Sequence, residues 1–391
     1  MNYRRTIPLP FRQGHPTMVA NGEIATLAQL VEHSPCKRTV VSSNLTGGSI
    51  SFSLALIVFL LLFAHSHLSA KETGELRQTG ETVLLYQRSS GGWPKGYDRN
   101  EKLTTERKKT VLGWRQKKEA TIDNGATHTE IRILAKAFQK LGDDRFKKAA
   151  LRGIIYLLDA QYENGGWPQK FPNPTGYHQH VTFNDGAMIG ALEVLSAVAQ
   201  EDRDFSFVPA PIRLRCRKAV ENGIVFILRA QVRIKGRLTV WCAQHDRKTL
   251  KPAGARSYEL PSLSGHESVG IVRFLMNIEK PDGRVRDSIE SAVAWFEGAK
   301  LTGIRQVLAD APGTPKGTDK RIIRDPDAPP LWGRFYDLKN EKPFFCSRDG
   351  IPRYSIDKIS YERRNGYSWL GEYARDLLVR DFPKWKKENA R

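Results

Sequence analysis

The feature that most limits how this chain can fold is a helical segment that recurs at intervals of about 70 residues. It reads GIIYLLDAQ over residues 153–161, GIVFILRAQ over 223–231 and, more loosely, AVAWFE over 292–297. Each copy follows another segment with helical apolar periodicity, so each is interpreted as the second helix of a hairpin. Three such hairpins predict an all-α fold, an (α/α)3 toroid of three helical hairpins with long functional loops around a central cleft.

Apolar periodicity and the residues that start and stop helices give the bounds of these hairpins. The predicted helices run over residues 123–142 and 144–162, 185–200 and 211–232, and 265–278 and 283–300, with a closing helix over 367–379. Long connections follow the later hairpins, over residues 236–263 and 302–367. Connections of this length in a compact domain usually carry function.

A Gly-Gly-Trp-Pro turn occurs twice, at residues 91–94 and 165–168. Glycine lets a backbone come close to a ligand, and an aromatic ring offers a flat face to a sugar. We therefore expect the second turn to form the floor of the site, with Trp167 against the substrate and Lys170 beside it. Asn184 and Asp185 follow closely and supply oxygens where the next helix begins.

An apolar run over residues 54–64, followed by a small residue at Ala70, is typical of a secretory signal peptide. We assign residues 49–70 to this signal and residues 71–391 to a secreted or periplasmic catalytic domain. A permanent membrane anchor is the alternative, but the run is shorter than the ~20 residues that usually span a bilayer. Residues 1–48 resemble the translation of a transfer-RNA gene, so we interpret them as an extension from a wrongly assigned start codon.

The formal net charge is +20, and the excess of basic residues is spread through the chain. Such a surface attracts polyanions: nucleic acid, anionic lipid or an acidic polysaccharide. No segment resembles a nucleic-acid-binding module, so nucleic acid is not the expected partner. Anionic lipid and acidic polysaccharide stay open as partners at this point, and we expect a monomer without a membrane span once the signal is removed.

The cysteines beyond residue 70 are Cys216, Cys242 and Cys346. Their odd number allows at most one disulfide, and the pairing stays open at this point. Their spacing relative to the histidines does not suggest a zinc site.

Asp123 and Asp185 each lie where the first helix of a hairpin is predicted to begin, so we expect them at equivalent positions facing one axis. Asn124 and Asn184 stand next to them and would add oxygens to a cation site. Hard oxygen ligands favour calcium or magnesium over zinc. The alternative is that both aspartates only cap their helices.

Arginines are frequent in the two long connections, where they could hold carboxylates through two parallel hydrogen bonds. They occur in Ala-Arg-Ser-Tyr-Glu at residues 255–259, Arg-Phe-Tyr-Asp at 334–337, Ser-Arg-Asp-Gly at 347–350 and Glu-Arg-Arg-Asn-Gly-Tyr at 362–367. Surface solvation or structural ion pairs are the alternative role for any one of them.

These motifs, together with Asn-Gly-Gly-Trp-Pro-Gln, Thr-Phe-Asn-Asp and Trp-Cys-Ala-Gln-His-Asp, resemble the pectate lyases of polysaccharide lyase family 10. The resemblance covers about residues 91–373, and the seven motifs occur in order. It implies an (α/α)3 toroid that cleaves polygalacturonate by calcium-assisted β-elimination.

The resemblance also implies roles for individual residues. Asp123 and Asp185 would belong to the calcium site, and Arg256 would be the base that removes the C5 proton. Arg348, with Arg363 or Arg364, would bind substrate carboxylates. A guanidinium normally keeps its proton, so Lys251 is the second candidate for the base, since the pKa of a lysine shifts more readily.

Two other functions use the same residues. In a glycoside hydrolase on a helical toroid, Asp123 and Asp185 would be the two carboxylic acids of the mechanism. A non-catalytic protein that binds acidic polysaccharide would need the arginines and tryptophans but not Arg256 beside a cation site.

Overall fold

The predicted hairpins are present in a computed structural model of the chain, which describes residues 71–389. The proposed extension over residues 1–48 and the proposed signal peptide over 49–70 lie outside this range. Residues from Leu76 onward belong to one structural unit, which contains every predicted site residue. Within the described range, no helix is both long and apolar enough to cross a membrane.

Helices α1 to α10 occupy residues 71–86, Thr105–Gly113, His128–Leu141, Asp144–Ala160, Ala187–Ala199, Ala210–Ala230, Glu267–Met276, Gly283–Gly298, Tyr361–Gly366 and Phe382–Asn389. Turns of 3-10 helix lie at Asp123–Gly125, Gly176–Gln179, Asn184–Gly186, Arg203–Phe205 and Ile356–Lys358, and a π-helical turn lies at Leu377–Asp381. Helices α3 to α8 are the six helices of the predicted hairpins. Helix α1 was not predicted, because its segment has weak apolar periodicity.

Strands β1 to β12 lie at Val181–Thr182, Arg233–Ile234, Arg237–Leu238, Gln244–His245, Leu263–Ser264, Ile304–Asp310, Thr318–Arg324, Trp332–Gly333, Phe335–Tyr336, Phe345–Cys346, Pro352–Arg353 and Leu370–Gly371. They form antiparallel pairs, β1 with β4, β2 with β3, β5 with β9, β6 with β7, β8 with β12 and β10 with β11. The description of the fold as all-α is therefore incomplete, because the long connections form short paired strands.

Local residues explain where several helices begin and end. Gly142, at φ 68°, ends α3 in the left-handed conformation that glycine adopts easily. The carboxylate of Asp143 caps α4 and that of Asp282 caps α8, each by accepting a backbone N–H. The closing helix predicted over residues 367–379 begins later, at residue 375, because Leu370–Gly371 pairs with Trp332–Gly333 as a strand, and the helical region then continues to Asn389.

The hairpins pack in chain order. Helices α3, α5 and α7 contact one another in sequence, and so do α4, α6 and α8. Helix α5 buries nearly all of its residues, whereas α6 buries a single apolar stripe. Helices α7 and α8 show the same contrast, whereas α3 of the first hairpin also buries only a single stripe. The second helices α4, α6 and α8 are called the outer helices.

A tryptophan in the segment after each of the helices α1, α4 and α6 donates its indole N–H back to a carbonyl of that helix. The pairs are Trp93 with Val83, Trp167 with Leu157 and Trp241 with Ile227, each at 2.7 Å. Trp167 is 0% exposed. The expectation that it lies against a sugar is wrong, because the ring packs in the core and its N–H is used within the protein.

The glycines and glutamines near these tryptophans make contacts with the next helix of the repeat. A Cβ atom on Gly165 would lie 2.1 Å from the backbone oxygen of Asn222 in α6. The close approach expected toward a ligand is therefore an approach to the next outer helix. A glutamine at the end of α1, α4 and α6 donates its amide to a carbonyl of the next outer helix: Gln87 to Ala149, Gln161 to Ala219 and Gln231 to Ser288.

The described residues contain two apolar clusters. The larger cluster fills the space between the helices. The smaller one lies under the long connections and is mainly aromatic, with Tyr258, Phe335, Phe345 and Trp369. It supports the loops that carry the arginines. The three described cysteines are buried and unpaired, so the possible disulfide is absent from this part of the chain.

Candidate active site

Two short turns place the predicted metal-binding aspartates near each other. The turn Asp123–Gly125 precedes α3, the turn Asn184–Gly186 precedes α5, and the two turns are in contact. The middle residue of each, Asn124 and Asp185, has a left-handed backbone with φ 50°. Asn and Asp tolerate this conformation better than most residues, because their short side chains can form local hydrogen bonds.

The two aspartates do not occupy equivalent positions, in contrast to the prediction. Asp123 is the first residue of its turn and Asp185 is the second of its own, so Asp123 aligns with Asn184. Neither aspartate caps a helix, since α3 and α5 begin only at His128 and Ala187. Each turn thus contributes one carboxylate and one amide to the same region.

The Asp123 carboxylate is buried and only partly satisfied. Its side chain is 4% exposed, and Oδ2 forms an ion pair with Lys95. Oδ1 is buried without a hydrogen-bond partner in the described residues. A buried carboxylate oxygen without a partner has lost its hydration without compensation, so it is an open position for a cation.

Lys170 lies at the edge of the same region. Its backbone pairs with Thr121, two residues before Asp123. Burial and then the charge of Lys170 lower the pKa of His178, whereas Asp123 raises it. The structure therefore keeps Lys170 close to the first aspartate turn, where an anionic ligand would be attracted.

The Asp185 carboxylate is tied to a buried arginine that the prediction did not include. Nη2 of Arg334 lies 3.1 Å from Asp185 Oδ1 and 2.6 Å from Glu267 Oε1. Asn184 donates its amide to the other Asp185 oxygen at 2.7 Å. Glu267 is buried at the start of α7 and also pairs with His266. Asp185 is therefore held in place from two sides.

Four arginines surround the rings of Tyr258 and Tyr367. The guanidinium carbons of Arg256, Arg348 and Arg363 lie 5.0, 5.6 and 4.5 Å from the Tyr258 ring centroid. That of Arg334 lies 5.0 Å from the Tyr367 ring centroid. Aromatic faces attract cations at these distances. Four positive charges that lie far apart in the sequence thus surround the two tyrosines. We call Arg256, Arg334, Arg348 and Arg363 the arginine cluster.

Arg256, the predicted base, is ion-paired in this structure. Its Nε donates to Glu259 at 2.8 Å, and its Nη2 also pairs with this carboxylate. Tyr367 donates its hydroxyl to Glu259 at 2.7 Å. The Glu259 carboxylate raises the pKa of Arg256 above its ordinary value. Arg256 is therefore a cation here, connected through Glu259 and Tyr367 to the rest of the arginine cluster.

Lys251, the second candidate for the base, lies elsewhere. It is exposed and lines a pocket of about 470 Å³ together with Arg229 and Arg233 at the end of α6. Among the described residues, it does not join the hydrogen-bonded network around Arg256 and Asp185. Lys251 therefore lies outside the group of residues that surrounds Arg256.

The three predicted carboxylate-binding arginines have different surroundings. Arg348 and Arg363 both pair with the exposed carboxylate of Glu362. Arg364 pairs with Asp319 of β7 at 2.7 Å, and both side chains are 14% exposed. Arg364 also donates to the carbonyl of Ile359. Arg364 thus attaches the β6–β7 hairpin to α9, the structural role that was its alternative.

Sequence reasoning missed Glu267, Arg334, Lys95 and Tyr367 as members of the site. Arg334 and Tyr367 belong to two of the motifs that carried the resemblance, so the signal for them was present. Glu267 falls inside a predicted helix and Lys95 follows the first Gly-Gly-Trp-Pro turn, where no local pattern distinguishes them from surface charges.

Solved structures of a family 10 polysaccharide lyase resemble the chain. One is an aspartate-to-alanine mutant of the enzyme from Cellvibrio cellulosa in complex with trigalacturonic acid. It is 34% identical in sequence, with a TM-score of 0.70, and the match covers 83% of this chain and 97% of the mutant's chain. Another is the family 10 polysaccharide lyase from the same organism, with 34% identity and a TM-score of 0.68. This match covers 81% of the present chain and 95% of the Cellvibrio chain. No match is found among curated proteins.

The sequence profile of the family described as pectic acid lyase matches residues 87–378. This range contains both aspartate turns and the whole arginine cluster. The profile and the structural neighbours confirm the resemblance inferred from the seven motifs. The chain therefore belongs to the pectic acid lyase family, the pectate lyases of polysaccharide lyase family 10.

Proposed function

We propose that this enzyme is a secreted pectate lyase that cleaves polygalacturonate by calcium-assisted β-elimination. The observation that carries the proposal is the position of the two aspartate turns, which contact each other and leave Oδ1 of Asp123 buried without a partner. The arginine cluster around Tyr258 and Tyr367 supplies positive charge for an acidic substrate. The complex of the Cellvibrio enzyme with trigalacturonic acid supports an acidic polysaccharide as the substrate class.

The residues of the turns fit a calcium ion by their chemistry. Calcium takes six to eight oxygen ligands, from carboxylates, amides and water. Asp123 and Asp185 would hold it, with the side-chain oxygens of Asn124 and Asn184 close by. Lys95 and Arg334 form ion pairs with the two carboxylates. When bound, calcium would neutralise the substrate carboxylate and so stabilise the charge that develops next to it.

The arginines have a clear role in such a reaction. Removal of the C5 proton leaves its electron pair to form the C4–C5 double bond, and the glycosidic oxygen leaves from C4. Negative charge then builds up beside the substrate carboxylate, where fixed cations lower the barrier. Arg348 and Arg363 would bind this carboxylate or its neighbours, and Lys170 would add positive charge at the first aspartate turn.

We assign the base to Arg256. In the structure Glu259 keeps its guanidinium protonated. Arg256 must therefore leave Glu259 before it can accept a proton, and other nearby cations, such as Arg363, would favour its neutral form. An alkaline pH optimum follows from this assignment.

The proposal also includes the arrangement of the hairpins as a toroid and the secretion of the protein. The packing of three hairpins in chain order, first helix against first helix and second against second, supports an (α/α)3 toroid. Secretion through a signal peptide over residues 49–70 is supported by the apolar run over residues 54–64 and the small residue Ala70, a pattern typical of such signals.

The test is product analysis on polygalacturonate. Elimination creates an unsaturated uronide that absorbs in the ultraviolet, whereas hydrolysis creates new reducing ends without a double bond. We expect an increase in absorbance that matches the new reducing ends one for one. Reducing ends without absorbance would show a glycoside hydrolase, and binding with neither signal would show a non-catalytic polysaccharide-binding protein.

A further inference from the structure

The carboxylate of Glu362 holds two arginines at once. Its oxygens accept hydrogen bonds from Arg348 at 3.2 and 3.0 Å. They also accept from Arg363 Nε at 2.6 Å and from Arg363 Nη2. A galacturonate carboxylate is the same planar group and would be recognised by the same two guanidinium groups.

The exposure of Glu362 differs from that of its arginine partner. The Glu362 side chain is 53% exposed, whereas the Arg363 side chain is 9% exposed. On the same helix α9, Arg364 pairs with a carboxylate that is mostly buried. Its partner Asp319 is only 14% exposed and also accepts a hydrogen bond from Asn365 at 2.7 Å. Asp319 is fixed in the structure, but Glu362 can swing into solvent.

Arg363 attracts an anion. Its guanidinium packs over the Tyr258 ring, and among the described residues Glu362 is the only carboxylate in an ion pair with it. A guanidinium with little contact with water is stabilised by an opposite charge beside it. A carboxylate that replaces Glu362 would therefore be stabilised at the same position.

We propose that Glu362 occupies the substrate carboxylate position on Arg348 and Arg363 in the free protein, and that a galacturonate carboxylate displaces it on binding. Glu362 thus determines specificity and affinity by competing with the substrate. The inference depends on the proposed function only in taking the anion to be a uronate.

The test is the binding of trigalacturonate to Glu362→Gln, measured by calorimetry. The amide keeps the size of the side chain but gives up the charge, so both arginines become available. We expect Kd to fall about three- to ten-fold, because the exposed ion pairs that compete are individually weak. An unchanged or higher Kd in a protein with normal thermal unfolding would overturn the proposal.

Two controls separate local competition from a general change in charge. Asp159→Asn removes an exposed carboxylate that pairs with Arg215 on the outer helices, and it should leave Kd unchanged. In an Arg348→Ala background, Glu362→Gln should give a smaller gain in affinity than in the wild-type protein. An equal gain in that background, or an equal gain from Asp159→Asn, would contradict displacement at this position.

Glu362→Asp provides a second variant. It keeps the charge but shortens the side chain by one methylene, so it should reach both arginines less well and lower Kd by a smaller factor. Weaker binding by both variants would show that Glu362 supports the site instead of competing for it.

This test does not depend on turnover. If the wild-type protein binds trigalacturonate but forms no unsaturated product, the proposed reaction fails while the competition by Glu362 is still measured. If unsaturated product forms normally and Glu362→Gln leaves Kd unchanged, only the present inference fails.

Discussion

Arg334 and Glu267 form a buried ion pair, with Arg334 Nη2 2.6 Å from Glu267 Oε1. The side chains are 9% and 0% exposed. The same nitrogen reaches Asp185, one of the two proposed calcium ligands. The position of Asp185 therefore depends on a pair of residues from distant parts of the chain, Glu267 at the start of α7 and Arg334 between β8 and β9.

Replacement of Glu267 by glutamine should destabilise the protein. It leaves the Arg334 cation buried without its main counterion, a change that typically costs about 3 to 5 kcal/mol. Urea unfolding would give the free energy of unfolding. Glu297→Gln, which alters an exposed pair with Lys300, is the matched control and should change it little. An equal effect of the two substitutions would refute the importance of the buried pair.

The contribution of Glu267 should also depend on pH. Burial raises the pKa of Glu267, but the opposite effect of Arg334 and His266 is larger. The pKa is therefore lowered from its ordinary value of 4.5 to about 2. Since the folded pKa is the lower one, the stabilisation is fully present above pH 4.5 and is lost as the pH falls from 4.5 toward 2. The difference in stability between the wild type and Glu267→Gln should shrink across this window, and a constant difference would contradict the assignment.

Trp167→Phe should affect stability and not substrate affinity. The substitution removes the N–H that bonds to the Leu157 carbonyl at 2.7 Å. A buried carbonyl left without its donor costs about 1 to 3 kcal/mol. Chemical unfolding should show this loss while KM for polygalacturonate stays the same. A raised KM with unchanged stability would restore the original expectation that the ring contacts sugar.

The substitutions Arg348→Ala and Arg364→Ala should affect different properties, the first KM and the second Tm. Arg348 is 64% exposed and pairs only with Glu362 among the described carboxylates, so its loss should raise KM and leave Tm unchanged. Arg364 holds Asp319 of the β6–β7 hairpin. Its loss should lower Tm by about 1 to 2 °C, the shift that about 1 kcal/mol gives in a domain of roughly 300 residues, with little change in KM. Thermal unfolding and steady-state kinetics on both variants distinguish the two roles, and the reverse pattern would exchange them.

Glu259→Gln should shift the pH profile of the enzyme. Glu259 raises the pKa of Arg256, and a base acts only in its deprotonated form. Removal of the carboxylate lowers this pKa, so the rise of kcat/KM with pH should move to lower pH. Asp246→Asn, near Lys251 but outside the arginine cluster, serves as the control. If only the control moves the profile, Lys251 becomes the better assignment for the base.

Much of the scaffold could be predicted from the sequence because its signals are local. Apolar periodicity located helices α3 to α8, and the repeated Ala-Gln at residues 160–161 and 230–231 marks a repeated hydrogen bond between outer helices. The same logic failed at Trp167, because a tryptophan beside two glycines is compatible with both a ligand surface and a packed turn. Only its burial distinguishes the two.

The site was predicted in part. Asp123, Asp185 and the arginines of the long connections were identified, but their relationships were not, since these depend on contacts between distant segments. Arg334 and Glu267 are 67 residues apart, and Tyr367 and Glu259 are 108 apart. The one-residue offset between Asp123 and Asp185 was missed for a different reason, because the turns Asp-Asn-Gly and Asn-Asp-Gly exchange the order of their first two residues.

The most direct measurement is the rate of unsaturated product formation on polygalacturonate as a function of calcium concentration, for the wild type, Asp123→Asn and Asp185→Asn. A chelator should abolish the reaction of the wild-type enzyme. Each variant should need about ten-fold more calcium for half of its maximal rate, since each loses one charged ligand. An undiminished rate in chelator, or the same calcium dependence in all three proteins, would contradict a calcium site at the two aspartate turns.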